Sequence, residues 1–143
     1  MSEENVEIVR RYFESAPNPE GADRFWEVDG DYYPVRKFPE ARPLHGREEI
    51  VRFLTEFTTA WATGGYRNVI KNAYGVSDDR VLVHAHLSAQ GRSSGMALEG
   101  DLYYCLWLRN GRFFRQEDHL TAKGALRALG LKGETLKAAG LSE

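Results

Sequence analysis

The sequence predicts an α+β domain in which helices cover one face of a curved antiparallel sheet. Three observations carry this. The hydrophobic period is about 3.6 in the helical segments and 2 in the later ones. Gly64-Gly65 marks the change. The order is helices, one strand, a helix, then a run of strands joined by short turns. Composition agrees. The 143 residues, 42% of them apolar, fit one domain with one core. Nineteen Lys plus Arg against twenty-one Asp plus Glu give a net charge of −2, which leaves no basic stripe for a nucleic acid. Seven Phe, seven Tyr and three Trp exclude a disordered segment.

Each element has its own signal. From Ser2 to Ser15, Val6, Ile8, Val9, Tyr12 and Phe13 recur at helical spacing, with Glu3 and Glu4 where the helix dipole favours them. Pro17 and Pro19 end this helix. A short second helix carries Ala22, Phe25 and Trp26 inward and breaks at Asp29-Gly30-Asp31. Asp31 to Phe38 reads as a strand, made irregular or edge-like by Pro34. Pro39 to Pro43 is a loop. Gly46 to Thr63 is the clearest helix, with Ile50, Phe53, Leu54, Phe57 and Trp61 on one side.

Tyr66 to Val76 is a strand closed by the turn Ser77-Asp78-Asp79. Val81, Val83, Ala85, Leu87 and Ala89 then alternate with Leu82, His84, His86, Ser88 and Gln90, the pattern of a half-buried strand. Gly91 to Gly95 is a loop. Met96 to Arg109 is a long strand, apolar on both faces at its centre, and Asn110-Gly111 a hairpin turn. Arg112 to Leu120 is the last strand and Thr121 to Leu129 a short helix stopped by Gly130. The domain covers residues 1–131, and 132–143 form a tail.

Other signals bound the setting. Cys105 is the one cysteine, which excludes a disulfide framework. The start, Met1-Ser2-Glu3-Glu4-Asn5, is acidic and polar, with no signal core; a cytoplasmic location is expected. The longest apolar run, Leu102 to Leu108, is too short to span a bilayer. That strand needs cover on both faces. The helices supply one side, and a second copy of the chain is expected on the outer side, as a homodimer.

A series of motifs resembles a known family. Glu7-Ile-Val-Arg-Arg-Tyr-Phe-Glu14, Leu44-His-Gly-Arg-Glu-Glu-Ile-Val-Arg-Phe53 and Asp79-Arg-Val-Leu-Val83 come first. Gly91-Arg-Ser-Ser-Gly95, Leu106-Trp-Leu-Arg-Asn-Gly-Arg-Phe-Phe-Arg115 and Ala125-Leu-Arg-Ala-Leu-Gly-Leu131 follow. In this order they resemble the SnoaL-like branch of the nuclear transport factor two-like superfamily, over residues 3–131. The resemblance implies a cone-shaped sheet wrapped around the N-terminal helices, with an interior pocket. Polyketide cyclases, ketosteroid isomerases, limonene epoxide hydrolases and binding proteins share that architecture, so function must be argued from the site.

The expected function is a small-molecule pocket, with cofactor-free acid–base isomerase, cyclase or hydrolase chemistry on an apolar or aromatic substrate. The alternative is a ligand-binding or dimerisation module without chemistry, and a distant third reading is a metal-dependent cupin-like enzyme using His84 and His86. Asp118 is the first candidate. Phe114, Gln116, Asp118 and Leu120 share one face of the last strand, and the resemblance makes it the pocket face. By the same resemblance Asp118 matches the water-activating aspartate of limonene epoxide hydrolases. Burial would raise its pKa towards neutrality; the bland reading is a paired carboxylate at the rim. Those hydrolases also carry an Arg and an Asp where this chain has Ala85 and Leu87.

The resemblance also maps Tyr12 onto the oxyanion-binding tyrosine of ketosteroid isomerases and Tyr103 onto their protonated aspartate, while their base falls near Lys37. Both tyrosines also read as core aromatics. Asp101 is expected to share the inward face with Tyr103, Cys105 and Trp107, or to lie at the solvent end of its strand. Trp26, Phe57, Trp61, Asp101, Trp107, Phe114, Gln116 and Leu120 complete the expected ligand-binding set. His84 and His86 invite comparison with a cupin metal site. Gln90 stands where cupins place a Glu, and His119 and Glu117 lie a strand too far away, so the expectation is no metal and no cofactor.

Overall fold

The computed structural model describes residues 2–14, 21–35, 42–61, 67–90 and 97–131. Helix α1 runs Ser2–Glu14, α2 Ala22–Phe25, α3 Arg47–Trp61 and α4 Ala122–Ala128. The strands are β1 Trp26–Tyr33, β2 Leu44–His45, β3 Arg67–Gly75, β4 Arg80–Gln90, β5 Ala97–Arg109 and β6 Arg112–His119. Among the described residues these strands form one sheet in the order β2-β1-β6-β5-β4-β3. β3 to β6 pair antiparallel, as expected, but β1 runs parallel to β6. The sheet is therefore mixed.

Helices α1 and α3 cover the inner face. α1 lies over β3 and β4, and α3 over β1 and β2. The stripe Val9, Tyr12 and Phe13 meets Ile50, Phe53 and Leu54 of α3 and Val81, Val83, Ala85 and Leu87 of β4 in one buried cluster. At ~25 cal/mol per Å² of apolar surface, this shared core is the main favourable term in holding helices and sheet together. The hairpin between β5 and β6 turns at Asn110 (φ 54°) and Gly111 (φ 77°), the left-handed pair a type I′ turn requires.

The chain between the second helix and α3 departs from expectation. Trp26 begins β1 instead of ending α2, and Asp29-Gly30-Asp31 lies inside the strand. The reason is local packing. A Cβ at Gly30 would lie 2.6 Å from Cε3 of the Trp26 ring, so glycine lets the buried indole fold over its own strand. The strand is bulged there: Trp26 is opposite Phe113 and Asp31 opposite Arg115. Strand β1 ends before Pro34, and Phe38 and Lys37 lie outside the described residues.

The outer face brings a second correction. Tyr103 and Cys105 on β5, with Leu82 on β4, are covered by Ala122, Ala125, Leu126 and Leu129 of the α4 segment. The chain's own last helix supplies this part of the cover that was expected from a second copy. Thr121 caps α4, its Oγ1 accepting from the Gly124 amide at 3.0 Å, and Gly130 (φ 76°) stops it. Arg80 donates to the Leu129 carbonyl, which fastens the helix end to β4.

Candidate functional site

Asp118 points to the inner face and is 8% exposed. Two side chains hold it. The Tyr32 hydroxyl donates to Oδ2 at 2.6 Å, and the Gln116 amide donates to Oδ1 at 2.8 Å. Burial raises the carboxyl to about 7; the two hydrogen bonds pull it down and the Glu117 charge adds to the rise. The acid is therefore half ionised near neutral pH. Burial and the neighbouring Asp118 charge push the Tyr32 phenol well above its usual value, so it stays a donor.

The polar groups continue across the inner face of the sheet. Tyr104 on β5 sits opposite Asp118 on β6. Its hydroxyl accepts from Asn68 Nδ2 of β3 at 3.2 Å. Asn68 lies opposite Leu87, which fixes it on the inner face. Tyr32, Asp118, Tyr104 and Asn68 thus form a polar belt over β1, β6, β5 and β3. Aromatic rings pack on both ends: Phe13 stacks on Tyr104 at 4.5 Å, and Phe53 meets Tyr32 edge-on at 5.8 Å. Two buried carbonyl oxygens of the inner face, Gln116 Oε1 and Asn68 Oδ1, have no hydrogen-bond partner. Each such buried acceptor forfeits ~1–3 kcal/mol, which makes both conspicuous.

The expected site residues divide between two faces. Asp118 and Gln116 are inside. Trp26 and Tyr12 are inside and buried, the indole Nε1 donating to the Tyr12 hydroxyl at 3.3 Å. Phe57 packs against the same core, while the side chain of Trp61 lies outside the described residues.

Tyr103, Trp107 and Asp101 are on the outer face, contrary to expectation. Antiparallel partners share a face, and the register sets His84 opposite Tyr103 and His86 opposite Asp101. The inward residues of β5 are Leu102, Tyr104, Leu106 and Leu108. Phe114 and Leu120 also leave the inner face. A bulge pairs Leu108 with Phe113 and Trp107 with Arg115, so Phe114 is the extra residue and Phe113 faces inward. The Phe114 ring lies under the Arg109 guanidinium. Leu120 lies past the end of β6 and is exposed.

On the outer face Asp101 lies between two imidazoles. His86 Nδ1 is 2.7 Å from one carboxylate oxygen and His84 Nε2 is 3.0 Å from the other, with Lys71 Nζ at 3.6 Å. These partners, His86 first, lower its pKa to about 2. The His84 ring stacks on Tyr103 at 4.6 Å. Both rings thus place a nitrogen on the carboxylate. Among the described residues no group of three or more His, Cys, Asp or Glu is placed to hold a metal ion. Cys105 is buried under α4, its thiol pushed up by burial and directed at the Ala125 carbonyl, which makes it a core residue.

Sequence reasoning missed Tyr32, Tyr104 and Asn68 as site residues. The usable signal for Tyr104 was parity: once His84 and His86 face outward, the residue opposite His84 must too, and its neighbour Tyr104 must face inward. Tyr32 carried no such signal, because its place beside Gln116 depends on the parallel pairing of β1 with β6.

No protein-family model matches the sequence, and no curated protein matches it. Solved structures do match in three dimensions. A hypothetical protein with a ketosteroid isomerase-like fold from Catenulispora acidiphila, in complex with trimethylamine, superposes with a TM-score of 0.68 at 18% identity, covering 90% of this chain and 95% of that one. A protein described as a SnoaL-like polyketide cyclase, from Jannaschia sp. CCS1, gives 0.69 at 16% identity, with 82% and 85% covered. TerC, co-crystallised with polyporic acid, gives 0.67 at 20% identity, with 88% and 97% covered. The chain accordingly shares the fold of these ketosteroid isomerase-like, SnoaL-like and NTF2-like structures.

Proposed function

We propose that this chain is a small-molecule pocket protein that performs cofactor-free proton transfer on an apolar or aromatic carbonyl compound, with Asp118 as the base. The observation that carries the reading is a buried carboxyl with a pKa of about 7, held by Tyr32 and Gln116 on an aromatic inner wall. A general base works best when its pKa lies near the operating pH. The ionised carboxylate takes a proton from the carbon beside the carbonyl. The protonated acid then returns it to another carbon or to oxygen. Tyr32, which keeps its own proton, holds the carboxylate in place and compensates its charge. The trimethylamine and polyporic acid complexes of two structural neighbours support a small-molecule ligand.

The test is hydrogen exchange. With 2-tetralone in D2O, followed by NMR, the native chain exchanges the α-protons ~10²-fold or more faster than Asp118→Asn. Equal rates overturn the acid–base reading and leave a binding module. The same proposal places a second copy of the chain on the part of the outer face that α4 leaves open, around the exposed Val69 and the imidazoles of His84 and His86. A monomeric mass by sedimentation removes that part alone.

A further inference from the structure

We propose that Asn68, paired with Tyr104, is a second polar anchor of the pocket, and that the pocket selects ligands carrying hydrogen-bond donors at two positions. The inference rests on the pocket reading above and adds the chemical class of the ligand. The first observation is the pair of buried, unpartnered carbonyl oxygens at Gln116 and Asn68. The orientation of Gln116 is not free. An ionised carboxylate only accepts, so the amide must turn its Nε2 to Asp118 and its Oε1 away from it. Asn68 turns its Nδ2 to the Tyr104 hydroxyl, which leaves Oδ1 available.

The second observation is the sign of the lining. The two unpartnered buried atoms of this face are both acceptors, Gln116 Oε1 and Asn68 Oδ1, and they stand beside the Asp118 carboxylate. Among the described residues no Lys or Arg is buried. A carboxylate or phosphate ligand would meet like charge at Asp118 and no buried cation. A phenol, an aromatic amine or a protonated amine brings the missing donors. The stacked Phe13–Tyr104 pair and the Phe53–Tyr32 contact give that ligand a flat aromatic surround. Two anchors on different strands, β6 and β3, also fix its orientation relative to Asp118.

The experiment uses two diols of different span, naphthalene-2,6-diol and biphenyl-4,4′-diol, each with its monomethyl and dimethyl ethers. Binding to the full chain is measured by calorimetry at pH 8. For the diol that spans the anchors, affinity falls ~3- to 10-fold with each methylation, one buried hydrogen bond per step. In Asn68→Leu one of the two steps disappears while the other remains. The wild-type ether series needs no variant, so a poorly folding Asn68→Leu leaves the donor selection testable. Naphthalene-2-carboxylate binds more weakly than the diols. Equal binding of diols and dimethyl ethers overturns the donor selection but keeps the pocket. Two steps that both survive Asn68→Leu remove Asn68 as the anchor. Failure of every one of these aromatics to bind overturns the pocket reading itself.

Discussion

Replacing Asp118 with Asn probes the buried carboxyl through stability, independently of any substrate. An acid whose pKa is raised in the folded chain holds its proton more tightly there than when unfolded. Its contribution is most favourable below the unfolded value of 3.8 and declines as pH rises through about 7. Between pH 5 and pH 8 about two units of that range remain, which corresponds to about 3 kcal/mol at 1.36 kcal/mol per unit. Asn fills the same volume and carries no such linkage. Its carbonyl accepts from Tyr32, and Gln116 turns its amide over to accept from the new NH2 group. Asp101, with its pKa lowered to about 2, contributes its stabilisation above 3.8 and loses it only in strong acid, so it is silent in this window. Urea unfolding at pH 5, 6, 7 and 8, followed by tryptophan fluorescence, gives both stabilities. The difference, wild type minus Asp118→Asn, falls by about 3 kcal/mol from pH 5 to 8, most of it below pH 7. Two curves that stay parallel across this range would refute the burial argument.

Tyr32→Phe removes a hydrogen bond that lowers the Asp118 pKa, so a carboxyl-carbon NMR titration finds the midpoint moved upward by ~1–2 units, the worth of a charged hydrogen bond; an unmoved midpoint denies the contact its electrostatic role. Gly30→Ala forces a methyl into the Trp26 ring, 2.6 Å from Cε3, and lowers unfolding stability by ~1–3 kcal/mol in urea. Native stability in that variant would mean that β1 does not bend over its own tryptophan.

What the sequence revealed depended on how unambiguous each strand's two faces were. Strand β4 was legible because Val81, Val83, Ala85 and Leu87 contrast with His84, His86 and Ser88, and the structure keeps that division. Strand β5 was not, since Tyr103, Cys105 and Trp107 are as apolar as Leu102, Leu106 and Leu108; only the register with β4 settles its parity. α4 explains why both faces are greasy: one row faces the helical core and the other faces α4. In β6 Gln116 and Asp118 share one face, as their spacing predicts, but the bulge at Phe114 shifts everything nearer the hairpin by one residue. A bulge has no signature in a run such as Phe113-Phe114-Arg115, where either phase buries an aromatic ring. The polar belt was hidden for a related reason. Tyr32, Tyr104 and Asn68 meet Asp118 only after four separate strand pairings are set, and no local pattern encodes them.

The sheet separates two aspartates that the sequence allowed to be neighbours. Asp118 lies inside without a cation, and its pKa is raised to about 7; Asp101 lies outside between His84, His86 and Lys71, and its pKa is lowered to about 2. Environments that drive two carboxyls this far apart assign their roles. Asp101 is ionised across the physiological range and cannot exchange a proton there, whereas Asp118 changes state in the middle of it. The pH dependence of 2-tetralone exchange follows from this difference. If the ionised Asp118 takes the proton, the exchange rate that the chain adds rises with pH and half-saturates near 7, and Asp101→Asn leaves that midpoint in place. A midpoint that moves with Asp101, or a flat profile from pH 5 to 9, would show that the inner carboxyl is not the group that carries the proton.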